Sequence, residues 1–232
     1  MSKQYPFIKS DSASVALKKA LVDVNKSRNF QIGREIYQPE YAIECDRRLV
    51  YRSSSRDIKP LANAVSYEQQ LNASYWESIF RNLPFITIKN TNIPIHEWTY
   101  NISCRADLVI HMTTDDSEFD SLVMARHVNE DAWKSVCSCG PSRCDMVADM
   151  IRMWISEIPH CISIYALKSD PSHFELYHLL PYTPIIQKAR DKFRRLSLFK
   201  MNGKLPDRPY EDASSTECCS CEFLQRCWST ST

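Results

Sequence analysis

Hydrophobic and polar positions along this chain follow two rhythms, and the switches between them outline its elements. Residues 11–28, DSASVALKKALVDVNKSR, predict an amphipathic helix with Val15, Leu17, Leu21 and Val24 on its apolar side and Asp11 or Ser12 as N-cap. Residues 61–82 predict a second helix, with Leu71, Tyr75, Ile79 and Phe80 near helical spacing. From Phe85 to His111 the pattern turns to β: FITIK, a turn around Asn90–Pro94, then HEWTYNISCRADLVIH. The polar connection TTDDSEFD leads into a further short strand, SLVMARHV, and together these read as adjacent antiparallel strands. A helix is predicted at 145–157, stopped by Pro159. The strands CISIYALK and FELYHLL, joined by KSDPSH, form a hairpin. Residues 183–199 form a basic amphipathic helix with Pro184 near its first turn. The fold class is therefore α+β. An N-terminal helical segment (1–40) precedes a core (41–200), followed by a linker and cysteine segment (201–232).

Composition narrows the classes. At 232 residues, 44% hydrophobic and 25% charged, the chain can bury a substantial core and is not disordered. A net charge of +1 gives no global signature for nucleic acid, so any such surface is a local patch. The apolar runs are too short to span a bilayer, so no membrane partner is expected. Three glycines (Gly33, Gly140, Gly203) exclude a glycine-rich phosphate loop.

Cysteine placement changes the picture most. Cys218, Cys221 and Cys227 form C-x2-C-x5-C near the end of the chain, while Cys45 stands far upstream in ECDRRLVYR. Thiolates from both ends of a chain cannot make a local finger; one metal centre would clasp the end of the fold to its beginning. The spacing suits four-thiolate iron–sulfur ligation and also admits zinc, with buried free thiols as the plain alternative. Cys219 beside Cys218 competes for the same place. Clustered cysteines without a signal peptide imply an intracellular, reducing, cytoplasmic setting. A second group, Cys137, Cys139 and Cys144 in CSCGPSRC, is a candidate zinc site if Cys161, His160, Cys104 or His127 completes it; otherwise these are incidental loop thiols.

With these residues in view, the chain resembles the iron–sulfur-containing, RecB-like PD-(D/E)XK nucleases, including the CRISPR-associated exonuclease branch. Cys45-Asp46-Arg47-Arg48 with Tyr51-Arg52, and the closing Cys218, Cys221, Cys227, carry the resemblance from about residue 40 onward. The strand CRADLVI is similar to the family's second motif, with Asp107 as its metal-binding aspartate and Cys104 in place of a glycine. The resemblance implies a restriction-endonuclease-like core, a central mixed sheet flanked by helices. It also implies a 4Fe-4S cluster on Cys45, Cys218, Cys221 and Cys227, and Mg²⁺ or Mn²⁺ at Asp107.

Departures from the family pattern bear on chemistry. The next strand should supply an acid and a lysine, E-x-K, so that two carboxylates hold a cation and the lysine polarises its water. SLVMARHV places Met124 on the acid and Arg126 on the lysine. A thioether is a poor ligand for a hard cation, and arginine cannot yield a proton near neutral pH. Upstream, Ser66-Tyr67-Glu68 stands where a histidine and an acid are usual, leaving Asp107, Glu68 and Arg126 as the candidate catalytic set.

An acid between Ala106 and Leu108 needs a metal or a partner, and Arg126 is the partner to expect. Asp115, Asp116, Glu118 and Asp120 are candidates to replace the lost acid, though such loops are usually solvated; His111 and His127 read as structural. Arg47, Arg48, Arg52, Lys188, Arg194 and Arg195 are candidate phosphate contacts, alongside Arg190 and Lys192 on the same helix. The expectation is a catalytically degenerate nuclease fold acting by binding single-stranded or branched DNA, or protein partners in a nucleic-acid-processing complex. The alternatives are an active exonuclease, its site rebuilt from Asp107, Glu68 and a carboxylate of the 115–120 loop, and a zinc-stabilised protein scaffold.

Overall fold

A computed structural model describes residues 7–8, 39–54, 73–100 and 102–229. The helix predicted at 11–28, most of that at 61–82, and Glu68 lie outside the described residues. Among the described residues, six strands make one mixed sheet in the order β1-β6-β5-β4-β3-β2. These are β1 (Phe7–Ile8), β2 (Ile86–Glu97), β3 (Ile102–Thr113), β4 (Glu118–Val128), β5 (Cys161–Leu167) and β6 (Asp170–Leu179). Neighbours are antiparallel except β4 and β5, which run parallel. A parallel pair needs a long crossover. Here it is made by α3 (Glu130–Cys139) and α4 (Arg143–Ser156).

Both crossover helices start on side-chain caps. Asn129 accepts from the Ala132 N–H and Ser142 from the Asp145 N–H, so an otherwise orphaned donor in each first turn is satisfied. α3 ends at Gly140, where φ of 84° requires glycine. No helix was expected at 130–139. The segment buries only Val136, so its apolar period is nearly silent, and Cys137 and Cys139 sit on helix, not loop.

The remaining helices among the described residues are α1 (Asp46–Ser54), α2 (73–80), α5 (Thr183–Asn202), α6 (Thr216–Cys219) and α7 (Leu224–Ser229), with a 3-10 turn at Pro39–Ile43. α2 covers one sheet face, packing Trp76, Ile79 and Phe80 on Leu108, Ile110, Val123 and Ile164. α4 covers the other with Met146, Met150 and Met153 on Ala106, Leu122, Met124 and Cys161. Leu49 and Val50 of α1 and Phe193 and Leu196 of α5 add a layer behind α4. Among the described residues, no helix is long and apolar enough to cross a membrane.

Candidate functional site

The site begins where two strands part. β3 and β4 pair from Leu108–Val123 to Thr113–Glu118. Inward of that point the pairs run from β3 to β2 and from β4 to β5. A fork therefore opens between Asp107 and Met124. Asp107 closes its apex: Oδ2 accepts a 2.7 Å hydrogen bond from the Ala125 N–H. The residue is only 8% exposed. Burial pushes its pKa up to about 6, against the pull of the Ala125 N–H and of Arg126 and Arg152.

Below the fork lies a buried ionic network. Leu122, Met124 and Arg126 alternate onto the α4 side of β4. Arg126 donates to Asp149 Oδ1 at 2.6 Å, contacts Asp145 Oδ1 at 3.2 Å, and lies 5.4 Å from the Tyr165 ring centroid, its register neighbour on β5. Asp149 also receives Arg152 Nη1 at 3.1 Å and the Ser163 hydroxyl. Arg152 pairs with Glu40 and donates to the Arg105 carbonyl at 2.9 Å. Asp145 further accepts from Tyr165 Oη at 2.9 Å and from Ser142 Oγ at 2.8 Å.

Electrostatics locks these charges in place. Burial opposes ionisation of Glu40, but Arg152 outweighs it and holds the carboxyl below its ordinary range. Burial likewise opposes ionisation of Asp145, and Arg126 with the Ser142 and Tyr165 bonds wins. Asp149 and Asp145 raise Arg126, and Glu40 and Asp149 raise Arg152, over the desolvation cost of burial. Both guanidiniums stay charged.

Several sequence expectations change here. Arg126 makes its direct ion pairs with Asp149 and Asp145, so it is not the contact partner expected for Asp107. The 115–120 loop sits at the far end of the hairpin, roughly 20 Å along β3 from Asp107 at ~3.3 Å per residue. Its acids bind locally: His111 bridges Asp120 and Glu118 at 2.7 Å each, and Lys89 takes Asp120 at 2.7 Å. They cannot supply the missing ligand. Glu40, Asp145, Asp149 and Arg152 were missed, although D-x-x-R inside the apolar helix DMVADMIRMW was a visible signal.

The arginines near Cys45 are occupied from within. Arg47 is 6% exposed and donates to Tyr51 Oη at 3.3 Å. Arg48 and Arg52 each reach Glu222 at 2.6 Å, beside Cys221, and both also face Glu44. These contacts outweigh desolvation and lower the Glu222 pKa to about 2. On α5, Lys188, Arg190, Arg194 and Arg195 are exposed, whereas Lys192 is buried on the Glu44 carbonyl and Asp46.

The cysteine tail returns to the start of the core. Phe223 packs on Tyr51 at 5.6 Å between centroids, and Arg226 lies 4.7 Å from the same ring's centroid. Cys45 acts electrostatically on Cys221, and Cys45 and Cys218 both act on Tyr210, so these thiols share one neighbourhood. Four thiolates brought together there would suit an iron–sulfur cluster or zinc. Among the described residues, however, no three His, Cys, Asp or Glu side chains converge as an ion-holding group. Cys137 and Cys139 are exposed on α3, and Cys144 donates to the Glu40 carbonyl at 3.4 Å. The partners considered for them lie elsewhere: Cys104 and Cys161 are buried in the core, and His160 bonds His178 at 3.0 Å.

No family model and no curated protein matches this chain. Among solved structures, LHK-Exo in complex with dAMP is similar, with TM-score 0.51 and 10% identity over 71% of this chain and 86% of that one. A second structure of LHK-Exo, an alkaline exonuclease from Laribacter hongkongensis, gives 0.42 and 9% over 51% of this chain and 59% of that one. SSO0001 gives 0.47 and 16% over 96% and 98%. At 10% identity the first of these likenesses shows the fold alone: a nuclease-like α+β architecture, with a mixed sheet between helices.

Proposed function

We propose that this protein is a nuclease-fold binder of nucleic acid whose hydrolytic centre has given way to structural ion pairs. One observation carries the reading: Arg126, on the strand where an acid and an amine should act, is committed to Asp149 and Asp145. Met124, 8% exposed, packs with the methionines of α4. A thioether in an apolar core offers no ligand to Mg²⁺ or Mn²⁺. Asp107 keeps a carboxylate at the fork, but one acid does not make a two-carboxylate metal site.

Binding falls to the exposed cations of α5, Lys188, Arg190, Arg194 and Arg195. The resemblance and the dAMP held by the fold neighbour both favour nucleic acid as the partner class. Cys45, Cys218, Cys221 and Cys227 would hold an iron–sulfur cluster, or zinc in its place. Either would act as a structural tie between the tail and α1.

The test is digestion of single- and double-stranded DNA with Mg²⁺ or Mn²⁺, paired with binding titrations across salt. No cleavage is expected, with salt-sensitive binding weakened by Lys188→Glu and Arg194→Glu. Metal-dependent cleavage abolished by Asp107→Ala would overturn the reading. Failure to bind at any salt would leave the scaffold role, with protein as partner.

A further inference from the structure

A cleft of about 500 Å³ opens beside Cys45, away from the fork. Its walls come from the turn into α1 (Ile43–Asp46), from Arg195 and Phe199 on α5, and from the linker at Pro206–Tyr210. The size suits a single small ring system with its polar substituents. Phe199 and Tyr210 are both half-buried, each leaving part of its ring available.

The charges around it are arranged for a phosphodiester. Two of the wall carboxylates are neutralised within the protein: Glu44 by Arg48 and Arg52, and Asp46 by Lys192 at 3.2 Å. Arg195 holds Asp46 only loosely, at 3.8 Å, and its side chain is 57% exposed. So weak an exposed pair is readily exchanged for a phosphate. Lys188, Arg195 and Phe199 follow one row of α5 at helical spacing, with the buried Lys192 between them, so two exposed cations lead to an aromatic ring.

Resting on the nucleic-acid reading above, we propose that this cleft takes one unpaired nucleotide of a single strand. The base stacks against Tyr210 and Phe199, and the adjoining phosphates run along Arg195 and Lys188. A track for the backbone with a platform for the base is the general design of sequence-tolerant single-strand binding. A duplex cannot enter, because its bases are stacked on one another. Asp207, exposed on the rim, would face the base edge rather than the backbone.

The test uses the full-length protein and a fluorescein-labelled single-stranded oligonucleotide, with its hairpin duplex as control. A 5-iodouracil version supplies photocross-links mapped by mass spectrometry. Preference for the single strand and a cross-link at Tyr210 or Phe199 are expected. Tyr210→Ala should weaken binding about tenfold and Tyr210→Phe should leave it unchanged. Equal binding by Tyr210→Ala with cross-links elsewhere, while Lys188→Glu still weakens binding, would overturn the cleft and leave the nucleic-acid reading standing. No binding of either oligonucleotide would end both. Binding of a lysine-rich peptide in competition with no oligonucleotide would reassign the cleft to a cationic partner.

Discussion

Asp149→Ala is the sharpest probe of the ion pairs beneath the fork. Asp149 is fully buried and accepts from Arg126 at 2.6 Å, from Arg152 at 3.1 Å and from the Ser163 hydroxyl. Removing it strands two guanidiniums in the core with fewer counter-charges. Breaking a buried pair by deleting one partner costs about 3–5 kcal/mol. At ~2–4 °C per kcal/mol for a chain this long, the melting temperature should fall by roughly 6–20 °C. Arg126→Met should cost about 3 kcal/mol, because Asp149 keeps Arg152 and Asp145 keeps Tyr165 and Ser142. Since the two side chains touch, the double variant should cost about 1–3 kcal/mol less than the sum. Urea unfolding followed by tryptophan fluorescence at constant pH and salt measures all three. A cost below about 1 kcal/mol for Asp149→Ala, or additive costs in the double variant, would refute a structural role for the pairs.

Asp107 should also mark the pH profile. Its raised pKa means the folded state holds a proton that the unfolded chain has released between about pH 4 and 6, so the stability it contributes is lost as pH rises through that window. The loss is about 3 kcal/mol, and Asp107→Asn should remove it, being more stable relative to wild type at pH 7 than at pH 4. Urea midpoints at the two pH values check this; Glu40, Asp145 and Glu222, with lowered pKa values, contribute in the opposite sense, which is why the comparison is between variants. Cys221→Ser should lower both the melting temperature and the iron or zinc content of anaerobically purified protein, read by calorimetry and elemental analysis; unchanged stability with unchanged metal would refute the tie. Glu222→Gln should cost about 1 kcal/mol or less, since its pairs are partly solvated, yet should speed limited proteolysis of the tail.

Much of the sheet was legible because alternation reports burial directly. FITIK, CRADLVI, SLVMARHV and the CISIYALK–FELYHLL hairpin are strands in the structure, whereas the turn expected around Asn90–Pro94 lies inside β2 and the chain reverses instead after Glu97, through a 3-10 turn at Trp98–Tyr100. The fork was not, since a strand's period says which face a side chain takes and nothing about where its ladder stops. For Arg47, Arg48 and Arg52 a run of cations suggested phosphates, while the structure sets two of them on Glu222. That contact joins distant parts of the chain, and no local window shows it. Asp149 was hidden differently. Its helix reads as an apolar stripe interrupted by Asp145, Asp149 and Arg152; the D-x-x-R spacing was visible, but the role of these charges is fixed only by Arg126 arriving from β4.

Residues 39–46 tie these features together. Glu40 enters the network under the fork through Arg152, Glu44 shares Arg48 and Arg52 with Glu222 of the tail, and Asp46 holds Lys192 of α5. Cys45 stands between them, lining the cleft. A short 3-10 turn leading into α1 is held mainly by what it touches, so its contacts with core, tail and α5 should rise and fall together. An inorganic centre at Cys45 would strengthen each of them without touching the fork. Such a centre would therefore act on folding and on the shape of the proposed nucleotide cleft rather than on the fork.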